Sequence, residues 1–278
     1  MVRFHIDSED VNSAYRRLEA IKGDLISNWM ELSCIYAPSG GEEDRARYLV
    51  EFFRSYGIED AHIDRSGNAV ALVDGGVGPT LAFLVTMDDL ATVADLVKNC
   101  GEPIEEDGML RGPGTNIGAI CSAGLGLARL FTLDEIDISG RIYIVGVVQE
   151  ETGLKGAKGF VEDHREQLDY VIDVLGGASR ISYGGLGIHW FKVHYSGSRG
   201  HTLRGEGPNV TRGVARSVSR IYDITLPDDT YLNITMLGAG EVYNHKSDDG
   251  WHSVDLRSID DDNLRKVKQE IYSVASEV

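Results

Sequence analysis

The residues with most to say about chemistry are Glu150 and Glu151, in Val147-Val148-Gln149-Glu150-Glu151-Thr152-Gly153, directly after the apolar run Ile142 to Val148. Open α/β sheets hold their active sites at the C-terminal edge of their strands. On an extended strand adjacent side chains point to opposite sides, which predicts separate jobs for the pair, one on a metal and one on a water. The plain alternative is a solvated charge pair in a loop. Two other apolar runs end in acids: Leu84-Val85-Thr86-Met87-Asp88-Asp89 and Tyr170-Val171-Ile172-Asp173. Asp88 suits either the orientation of a histidine ligand or, more simply, the capping of a following helix. Three strand-end acids meeting at one sheet edge would suit a hard or borderline cation.

The elements that must position these acids follow from apolar spacing. Ala14, Leu18, Ile21, Leu25, Trp29 and Leu32 predict a helix over 9–35, and Ala46, Tyr48, Leu49, Phe52 and Phe53 a second over 42–56. Pro38-Ser39-Gly40-Gly41 separates them, and Glu42 and Glu43 favour the new N-terminus. Short strands are expected at 61–63, 69–73 and 80–85, then a helix over 118–131, a strand at 141–148, a helix over 156–164 and a strand at 170–175. That alternation predicts an α/β layer domain over 1–184. Beyond Gly184-Gly185 the order becomes a strand at 190–195, a helix over 209–222, strands at 231–237 and 251–256, and a helix over 260–274. This βαββα order predicts an α+β, ferredoxin-like domain over 185–278 that lacks only a last strand.

Composition narrows the function classes. The 278 residues are 42% hydrophobic and 26% charged, as in a globular protein. A net charge of -17, without Lys/Arg clusters, argues against nucleic acid as a partner. Cys34, Cys100 and Cys121 have no paired or CxxC spacing, so neither a disulfide framework nor a thiolate zinc site is expected. Met1 to Asp10 carries charges where a signal peptide needs an apolar core, and no apolar run reaches about 18 residues. A soluble, cytoplasmic protein without membrane contact is expected.

The motifs together resemble the co-catalytic di-zinc peptidases and deacylases, a family that includes peptidase T, aminoacylase, carboxypeptidase G and succinyl-diaminopimelate desuccinylase. The stretches that carry the resemblance are Pro38-Ser39-Gly40 with Glu42 or Glu43, Asp64-Arg65-Ser66-Gly67-Asn68, Thr86-Met87-Asp88, Gly114-Thr115-Asn116-Ile117-Gly118-Ala119, and Glu150-Glu151-Thr152-Gly153. Gly197-Ser198-Arg199-Gly200-His201, Asn209, Asn244 and Asp255-Leu256-Arg257-Ser258 continue it in the family's order. The resemblance implies a three-layer α/β catalytic-type domain with an α+β lid and dimerisation domain. It implies Glu150 as general base, Glu151 and Asp173 as zinc ligands and Asp88 as the acid that orients a histidine ligand. It also implies His201 as a lid histidine that helps stabilise a tetrahedral intermediate, with Asn209 and Arg257 contacting substrate. The ligand so implied is a peptide or N-acyl amino acid, and the assembly a homodimer paired through the lid.

The chain departs from that pattern where the metal would sit. Thr86 stands in place of the first histidine ligand, and its neutral hydroxyl is a poor zinc ligand. Asn116 stands in place of the bridging aspartate, and a neutral amide cannot bridge two zincs. By the same resemblance the chain ends within the lid, so the last histidine ligand is expected to be absent, His245 and His252 falling at lid positions. Glu151 and Asp173 alone would hold zinc weakly. The expectation is a relative with impaired or lost di-zinc catalysis that binds peptides or amino acids or regulates. The alternative is an active metallo-hydrolase that cleaves a peptide or amide bond with Glu150 as base. Metal-independent chemistry by Glu150 with Cys121 or His201 is a third, weaker reading, since Cys121 is predicted on a buried helix.

Overall fold

The computed structural model describes residues 8–132, 138–175, 181–204 and 207–278. The chain divides into two compact units, Met1–Ala178 and Ser179–Val278. The first contains α1 (Ser8–Ala20), α2 (Lys22–Cys34), α3 (Glu43–Ser55), β1 (Ala61–Ile63), β2 (Ala69–Asp74), β3 (Thr80–Thr86), α4 (Ala91–Cys100), the short hairpin β4 (Ile104–Glu106) and β5 (Met109–Arg111), α5 (Thr115–Phe131), β6 (Arg141–Val147), α6 (Lys155–His164) and β7 (Tyr170–Asp173).

Its main sheet has the order β1-β2-β6-β3-β7. β3 runs parallel to both β6 and β7, whereas β2 is antiparallel to β6 and to β1. The three parallel strands therefore end at one edge, with Thr86 beside Val147 and Leu84 beside Asp173. Alternation along the strands separates two apolar layers. Ala69, Ala71, Val85, Ile142 and Ile144 pack with Leu32, Leu49, Phe53, Ile117 and Leu125 from α2, α3 and α5. On the other face Val70, Ala82, Tyr143, Val145 and Val147 pack with Phe160 of α6. Each fully buried Leu, Ile or Phe contributes about 1.5–3 kcal/mol. Helices on both faces of the sheet give the three layers that the family resemblance implied.

Arg45 on α3 ties the end of β3 to the helical layer. Its side chain is wholly buried. Nη2 donates to Asp89 Oδ2 at 2.9 Å, Ile35 O at 2.8 Å and Leu32 O at 3.1 Å, while Nη1 donates to Met87 O. The chain after β3 thus meets the end of α2 at one guanidinium. Asp89 N–H donates to Ala37 O at 2.8 Å and Ser39 N–H to Asp89 O at 3.3 Å, which closes the same junction through the backbone.

The second unit contains β8 (Gly187–Ser196), β9 (Gly200–His201), α7 (Val210–Tyr222), β10 (Thr230–Asn233), β11 (Leu237–Ala239), β12 (His245–Lys246), β13 (Asp249–Ser258) and α8 (Asp261–Ser276). β8 pairs along the whole of β13, and β10 and β11 pair with β13 as well. Val193, Ile221, Val254, Leu256, Leu264, Val267 and Ile271 form its core.

Several elements differ from the expectations. The helix expected over 9–35 is two helices that meet at Ile21, whose N–H bonds back to both Arg17 O and Leu18 O. The apolar spacing runs through the break, so periodicity alone cannot show it, and Gly23 just beyond it weakens helix propensity. The strand expected over 231–237 is interrupted: Asn233 ends β10 and Leu237 starts β11. α4 is additional, a ten-residue helix that buries only Ala94 and Val97 and so carries a weak apolar signal.

Replacing Arg45 with Met would leave Asp89 buried without its cation. An orphaned buried charge of this kind costs about 3–5 kcal/mol. Urea unfolding of Arg45→Met against the parent is expected to show a loss of that size.

Candidate functional site

Asp88 organises the edge where β3, β6 and β7 end. It is 1% exposed. Oδ1 accepts from Glu150 N–H at 2.9 Å and from Thr86 Oγ1 at 3.0 Å, and Oδ2 accepts from Glu151 N–H at 3.1 Å. Both oxygens are therefore engaged by the acid pair's own backbone and by a strand-end hydroxyl. Charge-assisted bonds of this type contribute about 1.5–3 kcal/mol each. Asp88 does not cap α4, whose N-cap is Leu90 without a side-chain bond, so the capping role expected of it is corrected.

The acid pair does not continue the strand. β6 ends at Val147, Gln149 takes a left-handed φ of 55°, and Gly153 and Leu154 N–H both bond back to Glu150 O. Glu150 and Glu151 therefore sit in a turn, and strand alternation does not govern which way they point. Asn68 fixes the strand's exit from the other side. It is fully buried, its Oδ1 accepts from Val148 N–H at 3.1 Å, and its Nδ2 donates to Gly156 O at 3.0 Å and Asp64 Oδ2 at 2.8 Å. Any Cβ on Gly156 would lie 2.3 Å from Asn68 Oδ1, so the packed turn requires glycine there.

The strands that carry these acids lie side by side in the sheet, Thr86 beside Val147 and Leu84 beside Asp173. Partial burial pushes the Glu150 carboxyl above its ordinary value of 4.5, and the charges of Glu151, Asp88 and Asp173 push the same way. Glu151 is also raised, by burial and then by Asp88. Asp173 is raised by burial, which the Leu175 N–H bond to Oδ1 partly opposes. Among the described residues no cation pairs with Glu150, Glu151 or Asp173 in the way Arg45 pairs with Asp89.

The remaining implied residues are placed as follows. Thr86 is buried and its hydroxyl is spent on Asp88. Asn116 is exposed in the first turn of α5, a turn without any acid. Among the described residues no group of three His, Cys, Asp or Glu is placed to hold a metal ion. Where the family resemblance calls for a histidine and a bridging carboxylate, this chain has the Thr86 hydroxyl and the Asn116 amide, a donor set that does not fit a zinc pair. In the second unit His201 lies opposite His245 on the β9–β12 ladder, ring centroids 5.4 Å apart, with Nδ1 accepting from Leu203 N–H at 3.2 Å. Asn209 is the N-cap of α7, its Oδ1 accepting from Arg212 N–H at 3.2 Å. Arg257 is held by Asp255 in a two-point pair at 2.9 and 3.0 Å. Cys121 is buried, its thiol donates to Thr86 O at 3.3 Å, and burial pushes it up to about 12, which removes it as a nucleophile.

Two contributors were not singled out by sequence reasoning. Asn68 lay within a family motif, but nothing in its type marks it as the partner of Val148. By sequence Glu42 and Glu43 fit the motif equally well, yet of the two only Glu42 is buried.

A carboxyl whose value is raised in the folded protein favours its protonated form there. The cost of ionising Glu150 is thus felt above its raised value and vanishes below 4.5. Glu150→Gln is accordingly expected to be more stable than the parent at pH 7, with the gap closing as pH falls from neutral to 4.5. Urea midpoints measured across that range check it.

No protein-family profile matches the sequence. Among sequence relatives are candidate LysW-lysine/LysW-ornithine hydrolases, from Thermococcus kodakarensis at 33% identity over 125 residues and from Pyrococcus furiosus at 37% over 125 residues. The matched stretch is 45% of this chain and 32% and 33% of those relatives, so the chain spans about a third of their length. Among solved structures, a tripeptidase from Staphylococcus aureus superposes with TM-score 0.71 at 24% identity, over 91% of this chain and 72% of that one. A dinuclear metal-binding peptidase of the M20 family from Bacillus subtilis gives 0.64 at 14% identity, over 92% and 70%. A dipeptidase from Saccharomyces cerevisiae gives 0.71 at 11%, over 98% and 78%. The resemblance carried by the motifs is thereby borne out: the chain has the fold of the di-zinc peptidase and deacylase family, the M20 metallopeptidases, and sequence kinship with hydrolases.

Proposed function

We propose that this chain is a relative of the metal-dependent peptidases and N-acyl-amino-acid hydrolases in which di-zinc catalysis is impaired or lost, and that it binds peptides or amino acids. The observation that carries this reading is the closure of Asp88 on Thr86 and on the Glu150 and Glu151 amides. The acid that would orient a histidine ligand has a hydroxyl and two backbone donors instead. Zinc is the cofactor of the fold family, and on this reading the chain holds it weakly, through Glu151 and Asp173. Glu150, Glu151 and Asp173, each raised chiefly by burial, with neighbouring carboxylates adding to the shift at Glu150 and Glu151, suit the ammonium group of an amino acid or peptide.

Pairing of two lids is part of the proposal. It is supported by β8, which pairs with β13 alone among the described strands and so offers its other edge to a second copy. The cysteines are all free, in keeping with a cytoplasmic setting, and no helix among the described residues is long and apolar enough to cross a membrane.

One observation favours the alternative, an active hydrolase with Glu150 as general base. The Glu150 carboxyl is shifted upward, the direction that suits a base working near neutral pH. Calorimetric titration with dipeptides and N-acyl amino acids, with and without added zinc and with product analysis on the same samples, separates the two. The expected result is saturable binding without turnover. Zinc-dependent turnover that Glu150→Gln abolishes would establish the alternative.

A further inference from the structure

Three consecutive backbone N–H groups of the acid turn, those of Gln149, Glu150 and Glu151, all end on buried carboxylates, and the two carboxylates come from different places. Asp88, after β3, takes the second and third. Glu42, the residue before α3, takes the first: its Oε1 accepts from Gln149 N–H at 2.8 Å and from Gly40 N–H at 2.9 Å. Glu42 is 4% exposed. We infer that Glu42 is a positioning residue for Glu150 and Glu151, setting from outside the sheet the direction in which the acid pair is presented.

The physical argument starts from Gln149. Its φ of 55° lies in the left-handed region, which a residue other than glycine adopts only when its surroundings enforce it. The Glu42 carboxylate supplies that enforcement by holding the Gln149 amide from one side while Asp88 holds the next two. Since Oε1 also holds Gly40, the same oxygen joins the Pro38-Ser39-Gly40-Gly41 turn to the acid turn. Ser39 Oγ and Thr152 Oγ1, 2.8 Å apart, join the two turns a second time. Neither Glu42 contact is a helix cap, since α3 receives no side-chain cap bond from it. A solvated glutamate would have no reason to give up water for two backbone donors, whereas a buried one needs them. The bearing of Glu42 on ligand binding rests on the proposed function; its hold on the turn does not.

The test compares the parent chain with Glu42→Gln and Glu42→Leu. The glutamine keeps an oxygen for both N–H groups, and the leucine keeps the bulk without an acceptor. Backbone amide exchange is followed residue by residue, and affinity for a lysine-containing dipeptide is measured on the same samples. Glu42→Leu is expected to speed exchange at Gln149 at least tenfold while amides of the central strand β6 keep the parent's rates, and to weaken dipeptide binding at least tenfold; Glu42→Gln should restore both to within about threefold. A folded Glu42→Leu with the parent's exchange at Gln149 overturns the inference, as does uniformly faster exchange with no rescue by Gln. If Glu42→Leu does not fold, Glu42→Asp takes its place: one methylene shorter, it is expected to speed exchange at Gln149 selectively, and parental exchange there overturns the inference equally. A parent that binds no dipeptide would count against the proposed function alone, because the exchange measurement needs no ligand.

Discussion

Everything at the candidate site depends on one buried carboxylate. Asp88 receives hydrogen bonds from Thr86, Glu150 and Glu151, and through them the ends of β3 and β6 become one unit. A carboxylate buried this deeply is tolerated only when its oxygens are paired, and here donors of the chain itself do the pairing. The neighbouring Asp89 is settled differently, by the guanidinium of Arg45. Two adjacent acids are thus buried by two unlike devices, one mainly a backbone cradle and the other an ion pair, and the acids beyond them, Glu150, Glu151 and Asp173, have no ion-pair partner among the described residues. The contrast defines the site: a rigid, satisfied floor carrying a repelling set of carboxylates.

Much of the layered fold was legible because apolar spacing and strand-end punctuation are local signals. The runs at 80–86 and 141–147 and the helices over 43–55 and 210–222 all follow from residues within a few turns of each other. Family motifs supplied what periodicity lacks, namely that the ends of β3, β6 and β7 share an edge. What stayed hidden was set by contacts between distant segments. Glu42 and Gln149 are 107 residues apart, and nothing in either neighbourhood reveals the bond between them. The break at Ile21 is hidden because the apolar spacing runs through it, and only backbone hydrogen bonding shows that the chain has changed direction; the left-handed turn at Gln149 is hidden because glutamine is not a residue type that marks such a conformation.

Residues of the second unit teach the same lesson about roles. Arg257 and Asn209 have the types that a substrate site would use, yet each is already committed, the first to Asp255 and the second to the N-terminus of α7. Residue type proposes a function, and the hydrogen-bond partners decide how much of the side chain is left for it. Thr86 is the sharpest instance. At a position where the family resemblance calls for a metal ligand, its hydroxyl turns inward and stabilises the acid beside it.

The central claim, that this edge is held together by its own donors instead of by a zinc pair, is tested most directly by metal stoichiometry. Protein purified without chelators, saturated with zinc and passed through a desalting column would be analysed for bound metal. The account predicts well under one zinc retained per chain. Retention of two zincs per chain, lost in Glu151→Gln or Asp173→Asn, would contradict it.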